Sequence, residues 1–431
     1  MRVNTIKMSD FTSVDKLAQT LPNSDAKIRV YGSLVAKAKI DSDFRKTIDF
    51  DRLSQVESDL NISRQTTGLR IAILGYKSDL VPPWDPLDTV KGLPGSEECA
   101  VYGSQELANR GHIVDLYLDP PKQSIWRSNF SNPRWLSVDD WLNPQNMATY
   151  DLVLMWRRFD IDTGRLRGRK VFFWGHDSPP RLPPGTQFPM FPKFDGNLIL
   201  SKHHRQQFSI WPGFDIVPYI ISGNGIVPEQ FSNPMQITNP YSMGYFSNYS
   251  RGLEVLLYIW QDIRKEFPQA TLDICYGREH WGTMSDQQLQ ALVSKIEAYK
   301  SLGVTEHGKI GHLELAKIMQ STSIFTYPCL TMGETYCITA IKCQAAGCIP
   351  VTTRIAALNE TVHPEAPSIP LITDLDQVNE YKELLLNTLR RIRDSDPEVI
   401  KSERNKYIEF TRNHSWSACV DKWLQLYSQV K

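Results

Sequence analysis

The chain is 431 residues long, with 41% hydrophobic and 22% charged side chains, and its 48 Lys and Arg residues balance 48 Asp and Glu. That length suggests two or three domains of ~150 residues each, and the neutral balance argues against the broad basic surface of a nucleic-acid binder. Seven cysteines form no CxxC pair, no early apolar run resembles a signal peptide, and nothing approaches the ~20 apolar residues of a membrane span. The expectation is a reduced, cytoplasmic protein, with peripheral membrane contact and oligomeric state left open.

Residues 1–68 are polar and weakly periodic, and read as an N-terminal extension with some helix. The first strong strand is LRIAILG (Leu69–Gly75), followed by the loop VPPWDPLDTVKGLPG and the helix SEECAVYGSQELANRG. Ser96 is the expected cap of that helix, Glu97 and Glu98 suit its positive end, and Gly111 stops it. Strands HIVDLYLD, DLVLMW and KVFFWGHD come next, then NLILSKHHRQQF, a strand and a helix with Ser201 as candidate cap.

After a turn-rich break around Pro228–Pro240 the alternation restarts with MGYFSN and the helix RGLEVLLYIWQDIRKEF. Leu253, Leu256, Leu257 and Trp260 lie on one face of that helix, a sheet-packing stripe. Strands TLDICYG, VTEHG, SIFTYP and IPVTT then alternate with helices DQQLQALVSKIEAYKSLG, HLELAKIMQST and TYCITAIKCQAAG. SWSACVDKWLQLYSQV is a final amphipathic helix. Such alternation marks open parallel α/β sheets, which bind ligands at the carboxyl ends of their strands. The expected boundaries are 69–235 for one Rossmann-like domain and 236–405 for a second, with 406–431 as a C-terminal helix crossing back to the first. A cleft between the two halves is expected.

Four stretches are candidates for chemistry. Gly95 and Ser96 precede a helix N-terminus that could receive a phosphate or a sugar hydroxyl, though a plain capped helix explains them too. In WGHD, His176 and Asp177 end a strand where ligands gather, or merely satisfy a turn. Arg251, before Gly252 at a helix start, suits a diphosphate or is a solvated cation. Glu334 opens GETYCITAIKCQAAGCIPVTT, either as a ligand group or as a charge favoured by the helix dipole. The G-x-G-x-x-G of a nicotinamide dehydrogenase is missing after the first strand.

Taken together, these pieces resemble the GT-B glycosyltransferases, in particular the family 4 type of retaining, nucleotide-sugar-dependent enzymes. The resemblance runs from about Leu69 to the C-terminus and is strongest over Tyr241–Val362. It rests on SNYSRGLEVLL, YGREHW, VTEHGKIGHLELAKIM and TYPCLTMGETYCITAIKCQAAGCIPVTTRIAALNETV, with GLPGSEE, WGHD and ISGNGIVPEQF agreeing in order. It implies a GT-B fold of two Rossmann-like parallel-sheet domains facing across a cleft. It also implies transfer of a hexose from a nucleotide diphosphate sugar to a glycan or other hydroxyl acceptor, with retention, no metal and no further cofactor.

In that resemblance Glu334, His176 and Arg251 would be catalytic. Glu334 would lie near the transferred sugar, and Arg251 would neutralise the leaving diphosphate. Gly95, Ser96, Gly308, Ile310, Cys337, Ile338, Thr339 and Lys342 would complete the donor site, Cys337 to Thr339 through backbone N–H groups. Glu97 and Asp177 would lie on the acceptor side. One departure stands out. Lys342 occupies the second glutamate position of E-x7-E, whose carboxylate accepts the ribose hydroxyls in the family, and an ammonium accepts no hydrogen bond. Ser247 or a neighbour stands where the family often has another basic residue. Lys342 is expected either to lean toward the helix start and replace that charge or to snorkel at the surface. A catalytically degenerate binder of sugar nucleotide or glycan is therefore the alternative to an active transferase, and a nucleotide-sugar epimerase is a third reading.

Overall fold

A computed structural model describes residues 11–20, 27, 30, 68–77, 84–128, 131–143, 148–232, 237–278 and 284–430. Most of the N-terminal extension lies outside them, as do Val81–Pro83, Asn233–Gln236 of the expected hinge, and Glu279–Trp281 of YGREHW. Within the extension Phe11–Gln19 is helical.

The first sheet contains β1 (Arg70–Leu74), β2 (Ile113–Tyr117), β3 (Arg134–Leu136), β4 (Tyr150–Trp156), β5 (Gly168–Trp174), β6 (Gly196–Ile199) and β7 (Tyr219–Ile221). Their order is β3-β2-β1-β4-β5-β6-β7. The second contains β8 (Ser242–Tyr245), β9 (Thr271–Cys275), β10 (Val304–Gly308), β11 (Ile324–Tyr327), β12 (Ile349–Thr353) and β13 (Ser368–Ile369), ordered β10-β9-β8-β11-β12-β13. Neighbours pair in parallel, for example Ile73 with Leu116 and Leu154, and Ile324 with Met243 and Ile349. The two Rossmann-like parallel sheets expected from the alternation are therefore present. In each, the chain builds outward on one side of the first strand and then restarts on the other. The topological switch points fall between β1 and β4 and between β8 and β11, where ligands of this architecture bind.

The apolar runs become strands because parallel sheets are covered on both faces. Residues 71–74, 113–117 and 349–353 are buried throughout. The helix Leu253–Glu266 buries the predicted stripe of Leu253, Leu256, Leu257 and Trp260. β3, β7 and β13, of two or three residues, escape the sequence reading because they are too short to show a pattern. The long helices Leu375–Asp394 and Pro397–Phe410 also went unread.

Two helix starts differ from expectation. The helix Gly95–Asn109 begins one residue early, because the Glu98 amide already donates to the Pro94 carbonyl at 3.0 Å. Ser96 is consequently inside the first turn rather than its cap, and its hydroxyl donates to Glu97 Oε2 at 2.7 Å. The helix in TYCITAIKCQAAG covers only Ile338–Ala345, because Cys337 before it is left-handed at φ 60 and ψ 66.

The described residues fall into two compact units. One lies within 1–86, 107–158 and 162–171, and the other comprises 87–106, 159–161 and 172–431. The loop and first three turns around Gly95 therefore belong with the C-terminal portion of the chain. So does the final helix Trp416–Gln429, which packs on β6 and β7, with Trp423 edge-on to Trp174 at 4.7 Å. No helix among the described residues is long and apolar enough to cross a membrane.

Candidate active site

The loops after β8 and β11 flank the second switch point, and they bring Arg251 and Glu334 together. Arg251 is placed by a tight turn. The Asn248 side chain accepts from the Ser250 amide at 2.9 Å, and Gly252 turns the chain at φ 118. Any Cβ at Gly252 would lie 2.0 Å from the Pro328 carbonyl oxygen, so this close approach of the two loops admits only glycine. Arg251 Nη1 donates to Glu334 Oε2 at 2.5 Å, and the Tyr327 hydroxyl donates to the same oxygen at 3.1 Å. The other oxygen, Oε1, accepts from the Cys337 amide at 3.0 Å. The carboxylate thus holds Cys337 in its strained left-handed conformation at the helix start.

This cluster is open on one side. The Arg251 side chain is 38% exposed and that of Glu334 only 8%. The carboxylate beside it raises the Arg251 guanidinium well above its usual value, and burial pushes the Tyr327 hydroxyl and the Cys337 thiol well up. At neutral pH the cluster is one cation and neutral donors around one buried carboxylate. Its segment is tied down further. Thr335 Oγ1 donates to the His176 carbonyl at 2.9 Å, and Ser201 Oγ donates to the Thr335 carbonyl at 2.8 Å. His176 is buried and stands edge-on to Trp174, whereas Asp177 is exposed.

Beside the same helix lies a cavity of about 90 Å³ lined by Gly92, Gly95, Phe246, Tyr276, Ile310 and Ile338, with Thr339, Glu98 and Lys342 in its wall. Gly92, at φ 101, lets this loop approach the next: a Cβ there would meet the Ile310 carbonyl oxygen at 2.5 Å. Lys342 neither snorkels nor stands ready to replace a missing cation. It is buried, and its Nζ lies 2.7 Å from each oxygen of Glu98, with side-chain exposures of 6% and 4%. His312 Nε2 is 3.7 Å from Glu98 Oε2, its Nδ1 is 3.1 Å from the Tyr102 hydroxyl, and burial holds the imidazole below its ordinary value.

The structure therefore gathers the expected residues into two groups: Arg251, Glu334 and Cys337 at the helix start, and Gly95, Ile310, Ile338, Thr339 and Lys342 around the cavity. The Cys337 amide is engaged by Glu334 rather than open to a ligand. Ser96, Glu97, Gly308 and Asp177 do not line the cavity. Sequence reasoning missed Glu98, Tyr276, Tyr327 and His312. Glu98 carried a signal, an acid at a helix start, but one fully explained by the dipole. Among the described residues no group of three or more His, Cys, Asp or Glu side chains is placed to hold a metal ion.

The chain is similar to known proteins in one domain and in fold. Residues 241–391 match the family model described as glycosyl transferases group 1, a stretch that contains Arg251, Glu334 and Lys342. The fold is similar to that of sucrose-phosphate synthase from Thermosynechococcus elongatus, at 16% identity over 84% of this chain and 98% of that one, with a TM-score of 0.61. It is also similar to Anabaena HepE in complex with UDP and glucose, at 15% identity over 84% and 100% of the chains, with a TM-score of 0.59. The chain spans 56% of the length of the pneumococcal O-GlcNAc transferase GtfA, over 65% of its own, at 12% identity and a TM-score of 0.49. It matches none of the curated protein sequences. The fold is that of GT-B glycosyltransferases, and residues 241–391 form a domain matching glycosyl transferases group 1.

Proposed function

We propose that this protein transfers a hexose from a nucleotide diphosphate sugar to a hydroxyl acceptor, with retention and without a metal. The observation that carries the reading is the half-open Arg251–Glu334 pair at the start of the helix Ile338–Ala345, inside the matched segment. A departing nucleotide diphosphate needs positive charge where its own charge develops, and a guanidinium at a helix N-terminus supplies it from two sources. Arriving phosphate competes with Glu334 for Arg251 and for the Cys337 amide. Displaced, Glu334 becomes a buried hydrogen-bond acceptor for the hydroxyls of the transferred sugar. The buried His176, tied through its carbonyl to Thr335, stands on the adjoining loop as the further group near that sugar.

The similarity to a fold seen with UDP and glucose supports a nucleotide diphosphate hexose as donor. The test is a thermal-shift panel of UDP, ADP, GDP and their hexosides, followed by product analysis with and without sugar acceptors. A true donor stabilises the folded protein by mass action. Stabilisation together with transfer and retained anomeric configuration is the expected result. Stabilisation with neither transfer nor hydrolysis would instead identify a catalytically degenerate binder, and an altered sugar nucleotide without acceptor an epimerase.

A further inference from the structure

The Lys342–Glu98 pair lies in the wall of a cavity rather than in a solid part of the core. Burying two charges is costly, and apolar residues of similar volume commonly serve stability as well or better. The hydrogen-bond accounting shows what the pair can still do. A carboxylate offers about four acceptor directions and an ammonium three donors. With Nζ 2.7 Å from both oxygens, the ammonium uses one direction on each oxygen and at most two of its protons. His312 Nε2, at 3.7 Å, is beyond hydrogen-bond range of Glu98. One donor and two acceptor directions thus remain without a protein partner among the described residues, side by side at a cavity.

The pair as a whole is neutral, so it offers little attraction to a phosphate. A hydroxyl both donates and accepts, and two neighbouring hydroxyls match an adjacent carboxylate and ammonium. Lys342 is about one helical turn beyond Ile338, or ~6 Å along the axis from the end that holds Arg251 and Glu334. In a nucleotide diphosphate sugar the diphosphate separates two hydroxylated rings. With the transferred sugar at Glu334 and the diphosphate at Arg251, the ring on the far side is the ribose.

We propose that the buried Lys342–Glu98 pair recognises the ribose hydroxyls of the donor, with Glu98 as the accepting carboxylate and Lys342 as the cation that orients it. The proposal rests on the nucleotide-sugar reading above. It makes Glu98 a specificity-determining residue although it lies 244 positions from its partner.

The test is calorimetric titration of the full chain with UDP, ADP and GDP, each beside its 2′-deoxy counterpart, and with UDP-glucose. It uses wild type, Glu98→Gln, and the double variant Glu98→Leu/Lys342→Met, which removes both charges together and keeps the wall packed. Wild type is expected to favour its ribonucleotide by about tenfold, the weight of one hydrogen bond to a charged group. The double variant should bind both forms alike, near the wild-type affinity for the deoxy form. Wild type that does not discriminate, or a double variant that still does, overturns the proposal while leaving the nucleotide reading intact. Loss in the variant of the extra affinity for UDP-glucose over UDP, with the ribose preference unchanged, overturns it by assigning the pair to the transferred sugar. If no nucleotide binds wild type, the functional reading and this one fall together.

Discussion

The two ends of one short helix differ in how they treat charge. At the N-terminal end of Ile338–Ala345, the carboxylate of Glu334 is shared among a guanidinium, a phenol and a backbone amide, and the guanidinium is 38% exposed. One turn further on, Lys342 and Glu98 are both buried in the cavity wall and face each other symmetrically. The first arrangement can exchange partners, since Arg251 is exposed enough to meet a phosphate and Glu334 keeps the Tyr327 hydroxyl as a donor when displaced. The second cannot, because removing either member leaves the other charge buried without its counter-ion. One site is built to be competed for and the other to present a fixed pattern of donors and acceptors.

Lys342→Glu puts that contrast under the greatest load. It would set a second carboxylate against Glu98 in the cavity wall, and breaking a buried pair costs about 3–5 kcal/mol. A denaturation midpoint displaced by that amount is expected, whereas Glu98→Leu/Lys342→Met should stay within about 1.5 kcal/mol of wild type, as apolar swaps of similar volume do. A Lys342→Glu protein as stable as wild type would mean that the two side chains are not a buried pair. At the open end the effect should fall on turnover instead. Arg251→Ala is expected to lower it by about two to three orders of magnitude, as removal of one transition-state charge donor does. A loss of under about fivefold in steady-state transfer would remove Arg251 from the mechanism.

The same contrast explains what could be read before the structure. Glu334 and Arg251 lie on loops of one contiguous segment and were assigned to the donor site through the resemblance, but their pairing with each other was not read. The long apolar strands and the amphipathic face of Leu253–Glu266 were legible, being local patterns. Lys342 was legible as an anomaly but not as half of a pair. Its partner lies 244 residues earlier, on a helix whose acidic first turn has a sufficient local explanation. Cys337 was misread because the left-handed residue that delays its helix depends on Glu334 capturing its amide.

The supports of the open end respond to pH. His204 donates from Nε2 to the Asp177 carbonyl at 2.9 Å and accepts the Leu200 amide on Nδ1 at 3.3 Å, an arrangement that needs the neutral ring. Burial pushes its pKa down to about 4, from an ordinary value near 6.5. Below pH 6.5 the unfolded chain takes up this proton and the folded one does not, so stability falls as pH drops toward 4. Between pH 7 and 5 the loss from this group is about 2 kcal/mol. Urea midpoints at the two pH values should differ correspondingly less in His204→Gln. An unchanged difference would mean that the ring titrates alike in both states.

Ser201→Ala carries the smallest expected effect and separates the two ends most cleanly. Ser201 accepts from the His204 amide at 2.9 Å as an N-cap and donates a hydrogen bond to the Thr335 carbonyl, one residue from Glu334. Losing the cap costs about 1 kcal/mol of stability. Losing the second bond loosens the segment that presents Glu334 but leaves Lys342 and Glu98 untouched. Titration of the variant should show a nucleotide affinity changed by a few fold, the scale of one neutral hydrogen bond, with the preference for ribose over 2′-deoxyribose as in wild type. A preference that moved together with the affinity would mean that the two ends of the helix act as one site, and that the contrast drawn between them is false.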